Sequence, residues 1–271
     1  MTLQVLEPAS EPACKHEDMN LELQDRVYII SGASRGLGYA AAEELVADGA
    51  RVVIASRSQE GIETAAIALG APNRVIAIAA DLADPDTADR LVAAALESFG
   101  QLDGAVISVG GPPPGRASEV DDDAWRGAFE SVFLGPLRLA KAVLSATDTA
   151  VSVTIVLSTS VRNPIAGLAV SNGLRPGLAM AAKTLADEYG HNGSRVNVVL
   201  PGRIATDRMQ QLDDASGDAQ ESRRRNTANI PLGRYGEPEE FGRVAAFVTS
   251  PAASYMSGSV ITVDGGATRS L

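Results

Sequence analysis

The sequence predicts an α/β fold, a doubly wound, seven-stranded parallel sheet with helices on both faces. Three observations support this prediction. Short runs rich in Val and Ile alternate with longer Ala-rich segments of helical period. Most of these runs are apolar on both faces, which is typical of parallel strands that helices cover on each side. The length of 271 residues lies near the limit of about 250 to 300 residues for one hydrophobic core, so we expect a single domain.

The predicted strands occupy seven short segments. In chain order they are residues 27–31, 51–55, 74–79, 105–108, 151–157, 195–200 and 260–263. Right-handed crossovers through the intervening helices give the doubly wound arrangement. Gly49 and Gly70 are placed to end the first two helices. The pairs Asp84-Pro85 and Glu237-Pro238 are placed to begin two later helices, with Pro at the first helical position.

Residues 1–22 are predicted to form a flexible N-terminal tail that precedes a domain at residues 23–271. The tail carries several acidic residues and has no apolar stretch of the kind that a signal peptide needs. No run in the chain approaches the ~18 apolar residues of a membrane-spanning helix. The single cysteine, Cys14, cannot form an intrachain disulfide, which suits a reducing compartment. We therefore expect a cytoplasmic protein.

The charge balance bears on the choice of partners. The chain has 34 acidic and 23 basic side chains, which gives a formal net charge of −11 at neutral pH. Such a charge repels phosphate backbones and anionic lipid over most of the surface. We expect neither nucleic acid nor a membrane as a partner, but a small-molecule substrate, and we predict no metal site.

A glycine-rich loop follows the first predicted strand. The segment reads Gly-Ala-Ser-Arg-Gly-Leu-Gly and leads into an Ala-rich helix. Glycines at such a turn let a pyrophosphate approach the backbone amides and the positive end of the helix. The pattern predicts dinucleotide binding, and a simple surface turn is the less favoured alternative. The loop residues expected to bind the cofactor are Gly32, Ser34, Arg35, Gly36, Leu37 and Gly38.

The end of the second predicted strand indicates which dinucleotide binds. Sites for NAD place an Asp or Glu there to bind the adenosine ribose, but this strand ends in Ala-Ser-Arg with no acid. Arg57, together with Arg35, is placed to bind a 2′-phosphate instead, which predicts NADP(H). The alternative is that both arginines are exposed surface charges. Asp81, after the third strand, either caps a turn or accepts from the adenine amino group, and we favour the second role.

Two further motifs complete a pattern. The chain reads Pro-Gly-Arg-Ile-Ala-Thr at 201–206 and Val-Asp-Gly-Gly at 263–266. Together with the glycine loop, these motifs make residues 23–267 resemble the short-chain dehydrogenase/reductase family. The resemblance implies a Rossmann-type sheet and nicotinamide chemistry at its carboxyl edge. It also implies a homodimer or homotetramer built partly through the helices after the fourth and fifth strands.

The same resemblance extends the set of cofactor-binding residues. It adds Leu82, Gly110, Pro201, Gly202, Ile204 and Thr206. Residues 205–230 correspond to the variable segment that covers the substrate. This segment is polar and charged, and it includes three consecutive arginines at 223–225. We interpret it as a solvated surface excursion rather than a phosphate-binding patch. The more specific alternative is a mobile lid over the substrate.

The catalytic positions depart from the family pattern. The family uses an Asn, a Ser, and a Tyr-x-x-x-Lys pair on one helix, and aligning the downstream helix places Ser171 and Arg175 where the Tyr and Lys belong. Ser158 falls at the position of the catalytic serine, with Ser160 near enough to compete for that role, and Val132 falls at the Asn position. No other Tyr or Lys lies nearby in sequence to replace the missing pair. Arg175 is also expected to bind the nicotinamide ribose.

These substitutions have a counterpart within the family. The segment Ser-Asn-Gly-Leu-Arg at 171–175 and the Gly-Gly-Pro-Pro loop at 110–113 resemble a divergent subgroup similar to 3-oxoacyl-carrier-protein reductases. The first functional prediction is an NADP(H)-dependent oxidoreductase for a carbonyl or alcohol substrate. A non-redox enzyme, such as a cyclase, isomerase or lyase, is one alternative. A nucleotide-binding protein without turnover is another.

Overall fold

A computed structural model describes residues 20–215 and 217–270 of the chain. It contains one seven-stranded parallel sheet with the strand order β3-β2-β1-β4-β5-β6-β7, which confirms the predicted doubly wound fold. The strands are β1 Val27–Ser31, β2 Arg51–Ser56, β3 Val75–Ala79, β4 Gly104–Ile107, β5 Ser152–Val156, β6 Arg195–Pro201 and β7 Val260–Val263. Their bounds differ from the predicted ones by one or two residues at most.

The helices lie between these strands. They are α1 Gly36–Ala47, α2 Gln59–Ala68, α3 Thr87–Phe99, α4 Asp122–Ala128, α5 Gly135–Ser145, α6 Ala169–Tyr189, α7 Asp207–Asp214, α8 Ala219–Ala228 and α9 Pro238–Thr249. A π-helical turn at Phe129–Leu134 joins α4 to α5. Short 3₁₀ turns occupy Thr159–Val161, Gly190–Asn192 and Pro251–Ala253. None of the helices in these two described ranges is long and apolar enough to cross a membrane.

Two hydrophobic cores cover the two faces of the sheet. On one face Ile29 packs in a cluster with Leu139 of α5 and Leu178 of α6. On the other face the next residue, Ile30, packs in a cluster with residues of α1 and α9. Neighbouring residues of a strand point to opposite faces, so both must be apolar when helices cover both sides. This arrangement explains the strand pattern of the sequence.

Three of the four predicted helix ends are confirmed. The helices α1 and α2 end just before Gly49 and Gly70, both of which have positive φ. Helix α9 begins at Pro238, with a capping box formed by Glu237 and Glu240. The predicted start at Asp84-Pro85 is wrong, because α3 begins at Thr87. The Asp84 side chain accepts a hydrogen bond from the Asp86 amide at 3.1 Å, which makes this stretch a turn before the helix.

The predicted N-terminal tail lies mostly outside the described residues. Where the description begins, the chain already packs on the domain. Leu21 is partly buried against the core that contains α1, and Leu23 is 1% exposed. The packed part of the chain therefore begins before residue 23, since Leu21 buries apolar surface that the composition of the tail did not reveal.

The strand order places the candidate site. Strand β1 lies between β2 and β4, so the chain moves outward in one direction from β1 to β3 and in the other from β4 to β7. At such a reversal the loops after β1 and β4 diverge to opposite faces and leave a crevice at the carboxyl ends of the strands. The Ser31 hydroxyl donates to the Ser108 carbonyl at 2.7 Å and accepts from the Ser108 amide at 3.0 Å, which ties the two strand ends together.

A buried arginine joins the opposite end of the sheet to α9. Arg195 is 8% exposed. Its guanidinium donates five hydrogen bonds, to the carbonyls of Val248, Thr249, Ser250 and Met256 and to the hydroxyl of Ser152. The carbonyls at the end of a helix carry partial negative charge, so they balance a cation without a carboxylate.

We expect Arg195→Met to lower the free energy of unfolding by about 3 kcal/mol, because buried acceptors lose a charged donor. Urea unfolding followed by circular dichroism measures the change as a lower midpoint at an unchanged slope. Arg90→Met, at an exposed position of α3, is the matched control and should stay within about 0.5 kcal/mol of the parent. An equal loss in both variants would contradict this structural role of Arg195.

Candidate active site

One large cleft opens at the carboxyl ends of the strands. Its volume is about 1740 Å³. The residues predicted from the sequence all line this cleft, although the chain brings them from six loops. They are Gly32, Ser34, Arg35, Gly36, Leu37, Gly38, Arg57, Asp81, Leu82, Gly110, Ser158, Ser171, Arg175, Pro201, Gly202, Ile204 and Thr206.

The glycine loop forms one wall of the cleft, and its geometry requires residues without a side chain. A Cβ atom on Gly32 would lie 2.6 Å from the Ser108 carbonyl oxygen. A Cβ atom on Gly38 would lie 2.5 Å from the Gly32 carbonyl oxygen. Both distances are far below van der Waals contact, so only glycine fits at these two positions, where the chain packs on the strand ends and on itself.

Two helices begin at this wall. Helix α1 starts at Gly36, and α7 starts at Asp207 after Thr206, whose hydroxyl caps it by accepting from the Met209 amide at 3.4 Å. The helix starts are neighbours, since a Cβ atom on Gly36 would lie 3.6 Å from the Thr206 methyl group. Helix N-termini carry partial positive charge and free amides, so this part of the cleft suits the phosphates of a dinucleotide.

Two arginines lie near this wall. Arg57 is exposed after β2, where the sequence predicted it. Arg35 donates to the Asp207 carboxylate at 3.0 Å, and the two side chains are 69% and 65% exposed. An exposed ion pair of this kind contributes about 0 to 1 kcal/mol, so a phosphate can compete with Asp207 for the guanidinium. The sequence did not reveal this competition, because residues 35 and 207 are distant in the chain.

Asp81 has a local role in the structure. Its carboxylate accepts from the Ala83 amide at 3.0 Å, and its carbonyl accepts from the Thr87 hydroxyl at 2.7 Å. These contacts form the turn before α3, which agrees with the first of the two roles considered for Asp81, the capping of a turn. The side chain is exposed and lines the cleft, so the turn leaves it available to a ligand.

Three serines form a connected group at the other end of the cleft. The Ser158 hydroxyl accepts from the Ser160 amide at 3.2 Å. The Ser160 hydroxyl lies 3.0 Å from that of Ser171, and both side chains are buried. Ser160 therefore connects the strand end that carries Ser158 to helix α6. The sequence offered Ser160 only as a competitor for the role of Ser158, whereas the structure makes it the partner of Ser171.

Arg175 follows Ser171 by one turn of α6 and is 5% exposed. Its Nη1 donates to the Leu157 carbonyl at 2.8 Å and, more weakly, to the Val156 carbonyl at 3.4 Å. Its Nε is buried without a hydrogen-bond partner in the part of the chain that the structure describes. Burial, and secondly the charge of Arg208, lowers the pKa of Arg175 to about 10. The guanidinium is thus still protonated at neutral pH.

The remaining catalytic position of the family is apolar here. Val132 is 2% exposed, lies in the π-helical turn and lines the cleft. Across the described ranges 20–215 and 217–270, no Tyr, Lys or His lines the cleft. The segment 205–230 contains no Tyr or Lys either. The structure therefore brings no phenol or ammonium to the serines and Arg175.

The segment 205–230 is mostly exposed or partly exposed where the structure describes it, in keeping with the predicted surface excursion, but it is helical and anchored to the domain. It forms α7 and α8, and Asp213 is 2% exposed beneath them. The Asp213 carboxylate accepts from the Tyr235 hydroxyl at 3.0 Å, the Ser222 hydroxyl at 2.8 Å and the Asn226 amide at 3.2 Å. This buried polar cluster joins both helices to the chain beyond them. The sequence gave no signal for it, because Asp213 lies in a run of polar residues.

The arginines at 223–225 do not face the cleft. The Arg223 guanidinium lies 4.6 Å from the centre of the Tyr235 ring, and Arg224 pairs with Glu221 at 2.7 Å. The preference for a surface excursion over a phosphate-binding patch at 223–225 stays a prediction. The sequence did not reveal Arg208, whose Nη2 donates to the Pro112 carbonyl at 2.8 Å and so ties α7 to the Gly-Pro loop after β4.

These features define the class of the protein. A parallel sheet with a strand-order reversal, a glycine loop at the start of α1 and a cleft across that reversal are the features of a dinucleotide-binding α/β enzyme. Residues 32–268 match the model of the family described as enoyl-(acyl carrier protein) reductase. The chain belongs to this family of the short-chain dehydrogenases/reductases.

Individual relatives agree with this assignment. The chain is 33% identical over 253 residues to L-rhamnose 1-dehydrogenase (NAD(P)(+)) of Azotobacter vinelandii, an alignment that covers 90% of this chain and 97% of that protein. It is 32% identical to the 3-oxoacyl-(acyl-carrier-protein) reductase FabG of Salmonella typhimurium, covering 91% and 98%. L-Sorbose reductase from Gluconobacter frateurii, solved with NADPH and L-sorbose, superposes with a TM-score of 0.87 at 28% identity, covering 93% and 100%.

Removing one hydroxyl tests the anchoring of α7 and α8. We expect Tyr235→Phe to speed hydrogen exchange of the amides of both helices by about tenfold, because Asp213 loses a charge-assisted hydrogen bond worth about 1.5 kcal/mol. Mass spectrometry of peptides from these helices measures the change. Tyr255→Phe, at a fully exposed ring, is the control and should change nothing. Unchanged exchange in Tyr235→Phe would show that other contacts hold the helices.

Proposed function

We propose that the protein is an NADP(H)-dependent oxidoreductase that acts on a carbonyl or alcohol group with an atypical active site. The observation that carries the proposal is the arrangement at the end of β5. Ser158, Ser171 and Arg175 line the same cleft as the glycine loop, and the Arg175 guanidinium is buried beside the Leu157 carbonyl. Polar groups of this kind suit a reacting oxygen whose negative charge increases during reduction.

Support for the cofactor comes from the cleft itself. The glycine loop packs on the strand ends without space for a Cβ atom at Gly32 or Gly38, and two helix N-termini begin beside it. Gly32, Gly36 and Gly38 would hold the pyrophosphate through their backbone. Arg57 and Arg35 would bind the 2′-phosphate, in keeping with the absence of an acid at the end of β2. The NADPH in the structure of L-sorbose reductase also favours this cofactor.

The remaining predicted residues complete the cofactor site. Asp81 and Leu82 would border the adenine, at the end of β3. Gly110, Pro201, Gly202, Ile204 and Thr206 would border the nicotinamide half, after β4 and β6. Pro201 ends β6, and Gly202 lies so close to Asp264 that a Cβ atom there would be 2.5 Å from the Asp264 Cβ. This close packing fixes the turn that reaches the cleft.

The catalytic groups follow from the geometry at the other end. In this proposal Ser171 and Arg175 stand where the family has Tyr and Lys, four residues apart on α6. When bound, the nicotinamide would supply or accept the hydride. Ser158 donates a hydrogen bond to the reacting oxygen, and Arg175 both stabilises the negative charge on that oxygen and binds the ribose hydroxyls. Ser171, oriented by Ser160, donates the proton to the product alkoxide and recovers one from solvent.

One observation favours a second candidate, a non-redox enzyme on the same fold. A serine hydroxyl is a much weaker acid than a phenol, and no phenol or ammonium lines the cleft in the part of the chain that the structure describes. A cyclase, isomerase or lyase transfers no net hydride to or from the nucleotide. Such an enzyme therefore does not need a phenol to protonate a reduced carbonyl. Its product would form with no change in the oxidation state of the nucleotide, which separates it from the first candidate in one assay.

The expected assembly is also part of the proposal. A homodimer or homotetramer would form through α4, α5 and α6, where Phe129 is 40% and Met180 is 67% exposed. Large apolar side chains exposed at neighbouring helices are typical of a subunit interface. A cytoplasmic location remains a prediction from the sequence.

Cofactor choice is tested by Arg57→Gln. We expect this change to reduce the preference for NADPH over NADH by about tenfold to a hundredfold, because a charge-assisted hydrogen bond of about 1.5 to 3 kcal/mol is lost. Titration of the fluorescence of Trp125, which packs on α6 at Gly173, measures both dissociation constants. Arg57→Lys should keep part of the preference. A parent protein that binds NADH as tightly as NADPH would contradict the assignment.

Turnover tests the function itself. We expect reduced nicotinamide to be consumed with aldehydes or ketones, and formed with the matching alcohols, as followed by its near-ultraviolet absorbance. Arg175→Ala and Ser158→Ala should each lower kcat/KM by about a hundredfold or more, the usual cost of one oxyanion donor. Because Arg175 loses its charge only as the pH passes a pKa of about 10, kcat/KM for reduction should stay level from neutral pH and fall there.

Two controls sharpen this test. Ser254→Ala, an exposed serine outside the cleft, should keep the parent activity. Arg175→Lys should move the fall in kcat/KM to lower pH, because a buried amine loses its proton more readily than a buried guanidinium. Product formed without any change in the nucleotide would favour the non-redox candidate, and failure to bind either nucleotide would exclude the oxidoreductase.

A further inference from the structure

The charge inside the cleft is opposite to the charge of the protein. The whole chain carries a formal charge of −11. Yet, among the residues that the structure describes, five arginines line the cleft and only two acidic residues do, Asp81 and Asp207. The arginines are Arg35, Arg57, Arg175, Arg203 and Arg208. An anionic surface with a cationic cleft attracts anions to that cleft.

Three of these arginines are already accounted for. Arg35 pairs with Asp207, and Arg57 is exposed to solvent at the predicted 2′-phosphate position. Arg203 lies 3.9 Å from the Asp213 carboxylate. Arg175 and Arg208 differ, since neither forms an ion pair with any acidic residue within the ranges 20–215 and 217–270. Their recorded hydrogen bonds go only to carbonyl oxygens.

A comparison with Arg195 shows that burial alone does not explain why Arg175 has so few hydrogen-bond partners. Arg195 is buried as well, but it donates five hydrogen bonds and is balanced by the carboxyl end of α9. Arg175 is more deeply buried, yet only its Nη1 donates, and its Nε has no partner within the described chain. A buried cation with unused donors costs free energy unless a ligand balances it.

Arg175 and Arg208 act on one space. Arg208 reaches the cleft from α7 and is held at the Gly-Pro loop by the Pro112 carbonyl, whereas Arg175 reaches it from α6. Each is partly or wholly desolvated, which lowers both pKa values, and the charge of Arg208 lowers the pKa of Arg175 further. Two like charges that affect each other across a cleft favour an anion between them.

We propose that the substrate carries a compact oxyanion, a carboxylate or a phosphate near its reacting carbonyl, and that Arg208 binds this group on the side of the cleft facing Arg175. The inference rests on the proposed oxidoreductase function and names its substrate class. The planar guanidinium of Arg208 can present two parallel donors to such a group, which also orients the carbonyl toward Ser158. The position of Arg208 in the segment that covers the cleft makes the contact dependent on the placement of α7.

The test compares charged compounds with neutral analogues. The pairs are pyruvate and methyl pyruvate, acetoacetate and methyl acetoacetate, and dihydroxyacetone phosphate and dihydroxyacetone. We expect the parent protein to prefer the anion of at least one pair by tenfold or more in kcat/KM, on the order of one bidentate contact. The first two pairs report a carboxylate and the third a phosphate. Arg208→Gln should abolish the preference, and Arg208→Lys should keep part of it.

Controls separate the possible outcomes. Arg90→Gln makes the same charge change at an exposed position of α3 and should keep the preference. The dissociation constant of NADPH should change less than threefold in Arg208→Gln. Equal use of anion and neutral analogue by the parent protein would overturn the inference. So would an Arg208→Gln variant that binds NADPH much more weakly while it keeps the preference, because Arg208 would then serve the cofactor.

A binding measurement keeps this inference distinct from the proposed function. If no compound is turned over, the proposed function fails by itself, and melting with NADP+ then decides the inference. A rise in Tm with acetoacetate or dihydroxyacetone phosphate, absent with the neutral analogue and lost in Arg208→Gln, would support the oxyanion site. Equal shifts with anion and neutral analogue, or none with either, would overturn it.

Discussion

The guanidinium of Arg175 lies buried at the end of β5, and its positive charge constrains everything around it. In water the charge would be solvated, whereas here two backbone carbonyls accept from a single nitrogen, Nη1. Carbonyl dipoles hold the side chain in place, but they leave the charge largely unbalanced. The charged group of the described chain that affects its pKa is another cation, Arg208. In the proposed function, an anion that enters the cleft, or an oxygen that becomes negative during the reaction, would balance this charge.

The glycine loop and the tie between β1 and β4 decide where that charge can act. The Ser31 hydroxyl joins the two strand ends, and Gly32 packs on the Ser108 carbonyl without space for a side chain. Because both contacts involve backbone, they do not depend on the substrate. The wall formed by the glycine loop is therefore set by backbone packing, whereas the opposite part of the cleft is lined by side chains of α6 and α7. In the proposed function the glycine wall would hold the dinucleotide, and Ser171, Arg175 and Arg208 would act on the substrate.

Much of this arrangement could be predicted from the sequence, for local reasons. The strands were predictable because a strand that is apolar on both faces appears in the sequence as about five consecutive apolar residues. The glycine loop was predictable because its glycines are closely spaced along the chain. Ser158 and Arg175 came from the resemblance to the short-chain dehydrogenase/reductase family, by alignment of one strand end and one helix. The Arg208 contact joins residues 96 positions apart, and the Asp213 contact with Tyr235 spans 22. The sequence around Arg208 and around Asp213 looks like that of a solvated charge. Their contacts are therefore visible only in the folded chain.

The same reasoning explains why the sequence did not reveal how the segment 205–230 is anchored. Its composition is polar, and polar composition ordinarily indicates exposure. Here the polar groups satisfy one another, because the Asp213 carboxylate accepts from the Ser222 and Tyr235 hydroxyls and from the Asn226 amide. Asp213, Ser222 and Tyr235 are all buried. Such a cluster is stable only when every member is paired, which makes its geometry specific. Arg208 is carried by the helix that this cluster anchors. The placement of one cation in the cleft therefore depends on a carboxylate that never reaches the cleft itself.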